Sequence, residues 1–454
     1  MLFLQDAKNW ECDYTQMSPD GFGTSASWQF ASLVKETGHG LQSLDLPTMY
    51  FLDPRVLQHS CIQTPENAIR TSPHVSSLLG DASNTMNVAL HFFDTIHVWL
   101  PIISKKRFFE LENRQPSLRP QLQFLLICMK LVTSVLPEYP SNPRTSLYYM
   151  AKQLHLEMEM AGILSTPVLQ AGILISMYEL GHAIYPSAFL TIGACARYAY
   201  ALGMNKGAMS AMTQPFTWVE REERRRLWWA IVILDRFASL GCAGRRFAVE
   251  DPEPNDLLPT DDAAWDLGLT LPDDARTVTS PSSSHMSKFG LVAQSAWLLG
   301  QVLRHISSKH HDHPLHDEEG VRLDCTLRAL IKAAESVKAS NCEAIGICYS
   351  ALITLHDPEA SLTSEFASSP EYYRWKRNTV AEVSKEVATE SARNAHKVTE
   401  NLEGTAPWGL HLIYRASASY IKINRECRTP DSVKALATLR QMLVTMDLRW
   451  KAAG

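Results

Sequence analysis

The chain of 454 residues contains nine cysteines, yet no two of them are separated by only two residues. Thiolates that share a tetrahedral zinc ion usually come from short Cys-x-x-Cys loops, so a zinc cluster is excluded within this sequence. The nearest pair, Cys342 and Cys348, fits a single buried helix instead. An odd, scattered set of cysteines also argues against a disulfide framework and for a reducing compartment. We therefore expect no metal ligand and no cofactor.

A basic excess is missing as well. Lys and Arg number 43 and Asp and Glu number 48, which gives a formal net charge of −5. Proteins that bind nucleic-acid phosphates usually carry a positive excess. Two basic clusters, Lys105–Arg107 and Arg221 with Arg224–Arg226, are interpreted as solvated or ion-paired helix faces. Glu222 lies four residues before Arg226 and supplies a local partner.

Long apolar runs and catalytic motifs are scarce. The longest run, Leu227–Leu234, is far shorter than the roughly 18 residues of a membrane span, and Met1–Leu4 lacks the basic flank of a signal peptide. Neither the Gly-x-Ser-x-Gly elbow of hydrolases nor a glycine-rich phosphate loop occurs. We expect no membrane association and assign no catalytic residue.

The sequence does contain one strongly patterned segment, Thr217–Asp266. Thr217 and Glu220 have the spacing of a capping box, which predicts that a helix begins there. Glu222 and Glu223 are expected to add negative charge to its first turn, where the helix dipole favours it. The start of this helix is therefore well defined.

The rest of the predicted helix carries an apolar stripe. Apolar side chains recur at three- and four-residue steps over Leu227–Phe237, and Trp228 and Trp229 widen the stripe. Gly241 and Gly244 are expected to end the helix, because glycine adopts left-handed backbone angles without steric cost. We expect the stripe to face a core.

This segment and its acidic tail resemble the signature region of the fungal-specific transcription-factor regulatory domain, also called the middle homology region. The residues that carry the resemblance are expected to hold the packing together and not to contact a ligand. They are Arg225, Arg226, Trp228, Trp229, Asp235, Arg236, Pro259, Trp265 and Asp266. One position departs, since Arg246 stands where members commonly have proline, and the turn there is expected to be looser.

The resemblance covers most of the chain, because further matching segments follow the family's order. They lie at Phe93–Ile103, Leu169–Ala188, Ile192–Gly203 and Leu439–Trp450. Alternating strand patterns and hairpin dipeptides are absent, which favours an all-α class. We predict a large multi-helix bundle over residues 81–454, preceded by a partly disordered arm or linker over residues 1–80.

Helix boundaries are predicted from the same periodicity. We expect helices over residues 86–109, 289–306, 323–338 and 342–355, and a further helix that begins at Val380. The polar stretches 273–287 and 307–320 are expected to be surface loops.

The resemblance implies a nuclear transcription regulator that controls a metabolic or secondary-metabolite gene set. Members usually carry an upstream zinc module with six cysteines that binds DNA, and without it direct DNA binding is not expected. Two explanations stay open: an upstream exon is lost from a truncated gene model, or the chain works through a partner. The partners implied are the transcription machinery, an intact family member, a second copy of the chain and a small-molecule effector.

The alternative is an all-α enzyme or small-molecule carrier, such as an isoprenoid-synthase-like protein. Asp261, Asp262 and Asp266 come close to an Asp-Asp-x-x-Asp magnesium motif, but the third carboxylate is one residue late. The His-rich stretch 310–316 matches no fixed pattern of metal ligands and is interpreted as a solvated loop. Four histidines near apolar helices are interpreted as core residues, namely His91, His97, His155 and His182.

Overall fold

The computed structural model describes residues 73–114, 119–137, 142–204, 217–242, 244–269, 276–281, 286–308, 314–336, 342–357 and 370–454. These residues all belong to one compact unit. Within them the chain forms fifteen α-helices and a short 3₁₀ turn, and the one strand-like contact is an isolated bridge between Leu257 and Thr277. The predicted all-α fold is confirmed. The predicted arm lies outside the described residues apart from a helix at Pro73–Leu79, so the arm and its boundary stay predictions.

Seven helices precede the signature segment: α1 (Pro73–Leu79), α2 (Ala82–Thr95), α3 (Lys105–Arg114), α4 (Pro120–Thr133), α5 (Ser146–Met160), α6 (Thr166–Gly181) and α7 (Ser187–Ala201). The signature segment contributes α8 (Trp218–Phe237) and the short α9 (Asp262–Asp266). The remaining helices are α10 (Lys288–Ser307), α11 (Pro314–Ser336), α12 (Cys342–His356), α13 (Pro370–Glu400), α14 (Gly409–Glu426) and α15 (Pro430–Asp447), followed by the 3₁₀ turn Lys451–Ala453. Among the described helices, none combines the length and the apolar character needed to cross a membrane.

Two helices form the centres of the two halves of this unit. α6 packs against α4, α7 and α8, and every residue from Val168 to Gly181 is buried. Its sequence explains this position, because a helix that is apolar all round is stable only inside a protein. α12 has the same role in the C-terminal half, with contacts to α10, α11, α13 and α14. Since α8 packs on α6 and α7 and also on α10, it joins the two halves.

Three predicted boundaries are wrong. The helix expected over residues 86–109 is two helices, α2 and α3, with Pro101 in the turn between them. The proline ring removes a backbone donor and disfavours a helical conformation in the residue before it. The second polar loop ends early because α11 begins at Pro314, a residue type that the first helical turn tolerates. α13 likewise begins at Pro370, well before Val380.

Candidate functional site

The start of α8 is confirmed and its predicted end is wrong. Thr217 Oγ1 accepts a hydrogen bond from Glu220 N at 3.3 Å, and the Glu220 carboxylate accepts one from Thr217 N at 2.9 Å. This reciprocal capping box satisfies two backbone donors. The helix stops at Phe237, and its C-cap Ala238 is still right-handed. The left-handed residue is Gly244, with φ 77°, in the chain that follows.

Arg226 lies fully buried in a group of side chains that we call the Arg226 cluster, with Glu222, Asp262 and Trp265. Its guanidinium donates to Glu222 Oε1 at 2.9 Å, to Asp262 Oδ1 at 2.7 Å and to the Thr260 carbonyl at 2.9 Å. The same Glu222 oxygen accepts a hydrogen bond from Thr260 N at 2.9 Å. The ring of Trp265 covers one face of the guanidinium at 4.2 Å. The cluster connects α8 to α9 and pairs the charges that it buries.

Glu223, the next residue on α8, is bound by three other parts of the chain. Its Oε1 accepts from Ser104 N at 2.9 Å and from Gln170 Nε2 at 3.0 Å, and its Oε2 accepts from Arg107. Burial raises the pKa of Glu223, while the charge of Arg107 acts in the opposite direction. Glu222 and Glu223 are buried, and the acidic residue in the first turn of α8 is Glu220, so the expected first-turn position of Glu222 and Glu223 is wrong.

Asp266, at the end of α9, contacts two basic side chains. Its Oδ1 lies 2.9 Å from His97 Nε2, and its Oδ2 lies 2.9 Å from Lys105 Nζ. Burial alone would raise the pKa of Asp266, but the contacts with His97 and Lys105 bring it below its ordinary value. Burial lowers the pKa of His97 despite the carboxylate. Asp266 therefore connects the end of α9 to His97 and to Lys105, the first residue of α3.

The three carboxylates that resemble a magnesium motif are all used within the protein. Asp261 caps α9 by accepting a backbone hydrogen bond at 2.7 Å, Asp262 pairs with Arg226, and Asp266 pairs with Lys105. A divalent cation needs carboxylate oxygens that are not already neutralised. In the part of the chain that the structure describes, no group of His, Cys, Asp or Glu could hold a metal ion. The isoprenoid-synthase-like alternative is therefore unsupported.

A second buried pair, Asp235 with Arg236, lies near the end of α8. The Asp235 carboxylate accepts from the backbone N of Ala248 at 3.0 Å and of Val249 at 3.3 Å. Arg236 donates to the Val249 carbonyl at 3.2 Å and lies over the Phe247 ring, 3.8 Å from its centroid. Burial raises the pKa of Asp235 and lowers that of Arg236. The pair thereby fixes the chain that returns after α8.

The signature tryptophans Trp228 and Trp229 and the proline Pro259 are all buried. Trp229 is buried and donates from Nε1 to the Leu257 carbonyl at 2.9 Å. Trp228 is also buried, with its ring edge-on to Tyr200 at 5.4 Å. Pro259 is buried in the chain that leads to α9. All three contribute to packing within the helical body.

The basic cluster of α8 divides between surface and core. Arg221 is exposed, and Arg225 is partly exposed with its guanidinium 2.6 Å from Glu222 Oε2. Arg225 and Arg226 are ion-paired, as predicted. Arg224 and Arg226 are buried, so the interpretation as a solvated helix face is wrong for these two residues. The predicted pairing of Arg226 with Glu222, one helical turn earlier, is confirmed at 2.9 Å.

The four histidines that were predicted to be core residues also differ in burial. His97 and His182 are buried, and His155 is partly buried. The side chain of His91 is 43% exposed, so its placement in the core is wrong. Of the predicted His-rich loop, residues 310, 311 and 313 lie outside the described residues.

The C-terminal motif contains a packing contact that sequence reasoning missed. Arg449 is buried over the Trp450 ring at 4.0 Å and donates to the carbonyls of Val132 and Ser134 at the end of α4. Trp450 lies against Gly181, where an added Cβ would come within 2.2 Å of the indole. Only the absence of a side chain at Gly181 makes this contact possible.

Within the described residues the protein is an all-helical body in which α8 joins two halves, and buried charges of that helix such as Arg226 and Asp235 pair within the protein. The chain belongs to the fungal specific transcription factor domain family, whose model matches residues 89–335, more than half of the chain. It is therefore a transcription regulator by family and not an enzyme.

Three curated relatives illustrate this family. The chain is 37% identical over 179 residues to transcription factor BOA15 of Botryotinia fuckeliana, covering 39% of this chain and 98% of that protein. It is 24% identical over 231 residues to the pigment biosynthesis transcriptional activator pigB of Monascus ruber, covering 47% of this chain and 41% of that protein. It is 26% identical over 187 residues to the tropolone cluster transcription factor tropK of Talaromyces stipitatus, covering 39% and 33% respectively. The chain thus spans nearly all of the first relative but less than half of the other two. No solved structure matches the chain.

Proposed function

We propose that this helical body receives a signal and passes it to the transcription of a metabolic or secondary-metabolite gene set in the nucleus. Membership of the family supports the regulatory role. The names of two relatives, which refer to pigment biosynthesis and to a tropolone cluster, support the kind of gene set. The partners proposed are the transcription machinery, an intact family member or a second copy of the chain, and a small-molecule effector.

In this proposal the 454 residues do not read DNA themselves and need no cofactor. The net charge of −5 and the lack of Cys-x-x-Cys pairs support this. Arginines that could have met phosphate are used inside the protein, since Arg226 pairs with Asp262 at 2.7 Å and Arg107 with Glu220 at 3.0 Å. A zinc module makes the DNA contact, supplied by an intact family member or by an upstream exon.

The observation that carries the proposal is the position of α8, the family's signature helix. It packs on α6 and α7 on one side and on α10 on the other. The Arg226 cluster, in the first half of α8, and the pair Asp235 with Arg236, close to its C-terminal end, connect it to the chain that follows. A displacement of α8 would therefore change both halves together. An effector or partner produces such a displacement only through different affinities for the two packings.

A reporter assay tests the regulatory role. The whole chain is fused to a heterologous DNA-binding domain and expressed beside a reporter gene with the matching promoter. We expect reporter output to differ from that of the DNA-binding domain alone. We also expect Arg226→Met to remove the difference, whereas the control Arg221→Met, at an exposed position of the same helix, keeps it. Unchanged output with a folded, nuclear fusion protein would contradict the proposal.

DNA binding and gene set need separate measurements. Transcript profiling of a deletion strain is expected to show lower or higher expression of one biosynthetic gene set. In gel-shift assays on promoters of that set, the purified chain alone should produce no specific shift. An intact zinc-cluster family member should produce a specific shift, and addition of the chain should change the mobility or the amount of that shifted complex. Tight, specific binding by the chain alone would overturn the proposal that a zinc module outside these 454 residues makes the DNA contact.

A further inference from the structure

An apolar cleft of about 440 Å³ lies at the C-terminal end of α8, between residues of the two halves of the protein. Its walls come from the end of α6, the chain after α8, and α14, and the apolar side chains that line it include Leu180, Phe237 and Leu410. The volume is within the range of roughly 300–1,000 Å³ that small-molecule sites usually have. Tyr185 and Tyr414 also line the cleft and are 49% and 63% exposed. The cleft is therefore open to solvent at one side.

Arg245 brings a positive charge to this largely apolar lining. Its Nη1 donates to the Ala238 carbonyl at 2.9 Å, and its guanidinium lies over the ring of Phe189 at 4.6 Å. Among the described residues, no carboxylate forms an ion pair with it. The guanidinium is thus held in place by a backbone carbonyl and a ring, and its charge is available to an anion.

His411, on α14, brings a second polar group. Its Nδ1 is buried and has no hydrogen-bond partner within the described part of the chain. Burial lowers the pKa of His411 to about 4, so the ring is uncharged at physiological pH. An uncharged imidazole presents one donor and one acceptor, whichever tautomer forms. A buried polar atom without a partner is rare and unfavourable, and a polar group of a ligand would satisfy it.

We propose that this cleft binds a small organic acid with an apolar aromatic or aliphatic body. The carboxylate pairs with Arg245, the body lies against Phe237 and Leu410, and a further polar atom bonds to His411. Such a ligand contacts α6, α14 and the turn that leaves α8 at the same time. Its effect on transcription rests on the proposed function, because a ligand that binds one packing of α8 better than another shifts the population toward it. Binding itself does not depend on that function.

Isothermal titration calorimetry on the whole chain tests the proposal with a matched pair of probes, 1-naphthaleneacetate and the uncharged 1-naphthaleneacetamide. We expect the acid to bind with one site per chain and at least about tenfold more tightly than the amide. Arg245→Met should remove this preference. Arg246→Met, the exposed neighbour, should keep it. Equal affinity for the two probes, equal effects of the two substitutions, or no saturable binding of the acid would each overturn the proposal.

A second variant distinguishes a loss of ligand binding from a loss of folding. Ala452 is exposed and lines the cleft, so Ala452→Phe should fill the space without removing a core side chain. We expect it to abolish binding of both probes at an unchanged melting temperature, and unchanged binding would overturn the location. The reporter assay separates the two proposals. Binding of the acid without any effect of the chain on the reporter would overturn only the regulatory role, whereas a reporter effect without binding would overturn only the cleft.

Discussion

The guanidinium of Arg226 lies over the indole of Trp265, with 4.2 Å between its central carbon and the ring centroid. Both side chains are fully buried, although one belongs to α8 and the other to the short helix α9. A desolvated contact of this kind contributes about 2 kcal/mol beyond the ion pairs that Arg226 makes. This contact explains why the arginine of the signature helix and the tryptophan of the acidic tail form one structural unit.

Loss of the Arg226 charge should destabilise the protein strongly. Arg226→Met removes the buried cation that Glu222 and Asp262 share and leaves Glu222 only the partly exposed Arg225, and removal of one partner from a buried ion pair costs about 3–5 kcal/mol. The urea midpoint of unfolding, followed by circular dichroism, measures the change. Arg221→Met is the control and should shift the free energy of unfolding by less than about 0.5 kcal/mol. Equal midpoints for the two variants would contradict the assignment of Arg226 to the core.

Two helical glycines should respond oppositely to alanine. A Cβ at Gly181 would lie 2.2 Å from the ring of Trp450, whereas a Cβ at Gly193 meets no atom within 4 Å. We expect Gly181→Ala to cost about 1–3 kcal/mol because the indole must move. Gly193→Ala should stabilise α7 by about 0.5–1 kcal/mol, since glycine is a poor helix former. Melting temperatures of the two variants check this. A higher melting temperature for both variants would show that the contact between Gly181 and Trp450 is not tight.

The tryptophans of α8 should be more important for stability than exposed apolar residues. Trp228→Ala should cost about 3 kcal/mol, and Trp229→Ala about 3–5 kcal/mol, because its removal also leaves the Leu257 carbonyl without a donor. Leu190, which is 63% exposed, is the control, and Leu190→Ala should be nearly neutral. Differential scanning calorimetry gives the comparison. An unchanged melting temperature for Trp228→Ala would contradict the assignment of Trp228 to the core.

Stability should fall as the pH drops below neutrality, in part because of His182. Burial, with the nearby charges of Arg449 and Lys451, lowers the pKa of His182 to about 3. The unfolded chain, with a pKa near 6.5, takes up the proton first, so this contribution is present above about pH 6.5 and is lost as the pH falls toward 3. Between pH 7.5 and 5 the loss is about 2 kcal/mol.

The substitution His182→Asn isolates this contribution. It should flatten the decline in melting temperature between pH 7.5 and 5, because an amide does not titrate in that range. His396 is exposed on α13, and His396→Asn should leave the slope unchanged. Identical slopes for His182→Asn and the wild type would show that the buried imidazole is not the group that titrates.

Local patterns in the sequence were sufficient for much of the fold. The helix predicted over residues 289–306 is α10, Lys288–Ser307, and the helix predicted over residues 342–355 is α12, Cys342–His356. Both segments are rich in apolar residues and are much longer than a typical buried strand, so length identifies them as helices. The capping box of Thr217 is equally local, since its two partners lie three residues apart.

The contacts that define the site could not be predicted in the same way. Periodicity shows which face of α8 is buried, but it does not show that Arg226 meets Asp262 or that Glu223 meets Arg107. Those partners depend on how distant helices pack. The early start of α13 has a related cause, because its first turns are rich in charged residues and show no apolar period before Val380.

The contact between Trp450 and Gly181 sets a limit on how the polypeptide can be divided. The region that identifies the family ends at residue 335, yet α12, which covers α10, and the indole that fills the space beside Gly181 both lie beyond that point. A recombinant fragment cut there would expose apolar surface that normally lies in the interior, and such surface promotes aggregation. The boundary drawn by sequence similarity is therefore not the boundary of autonomous folding.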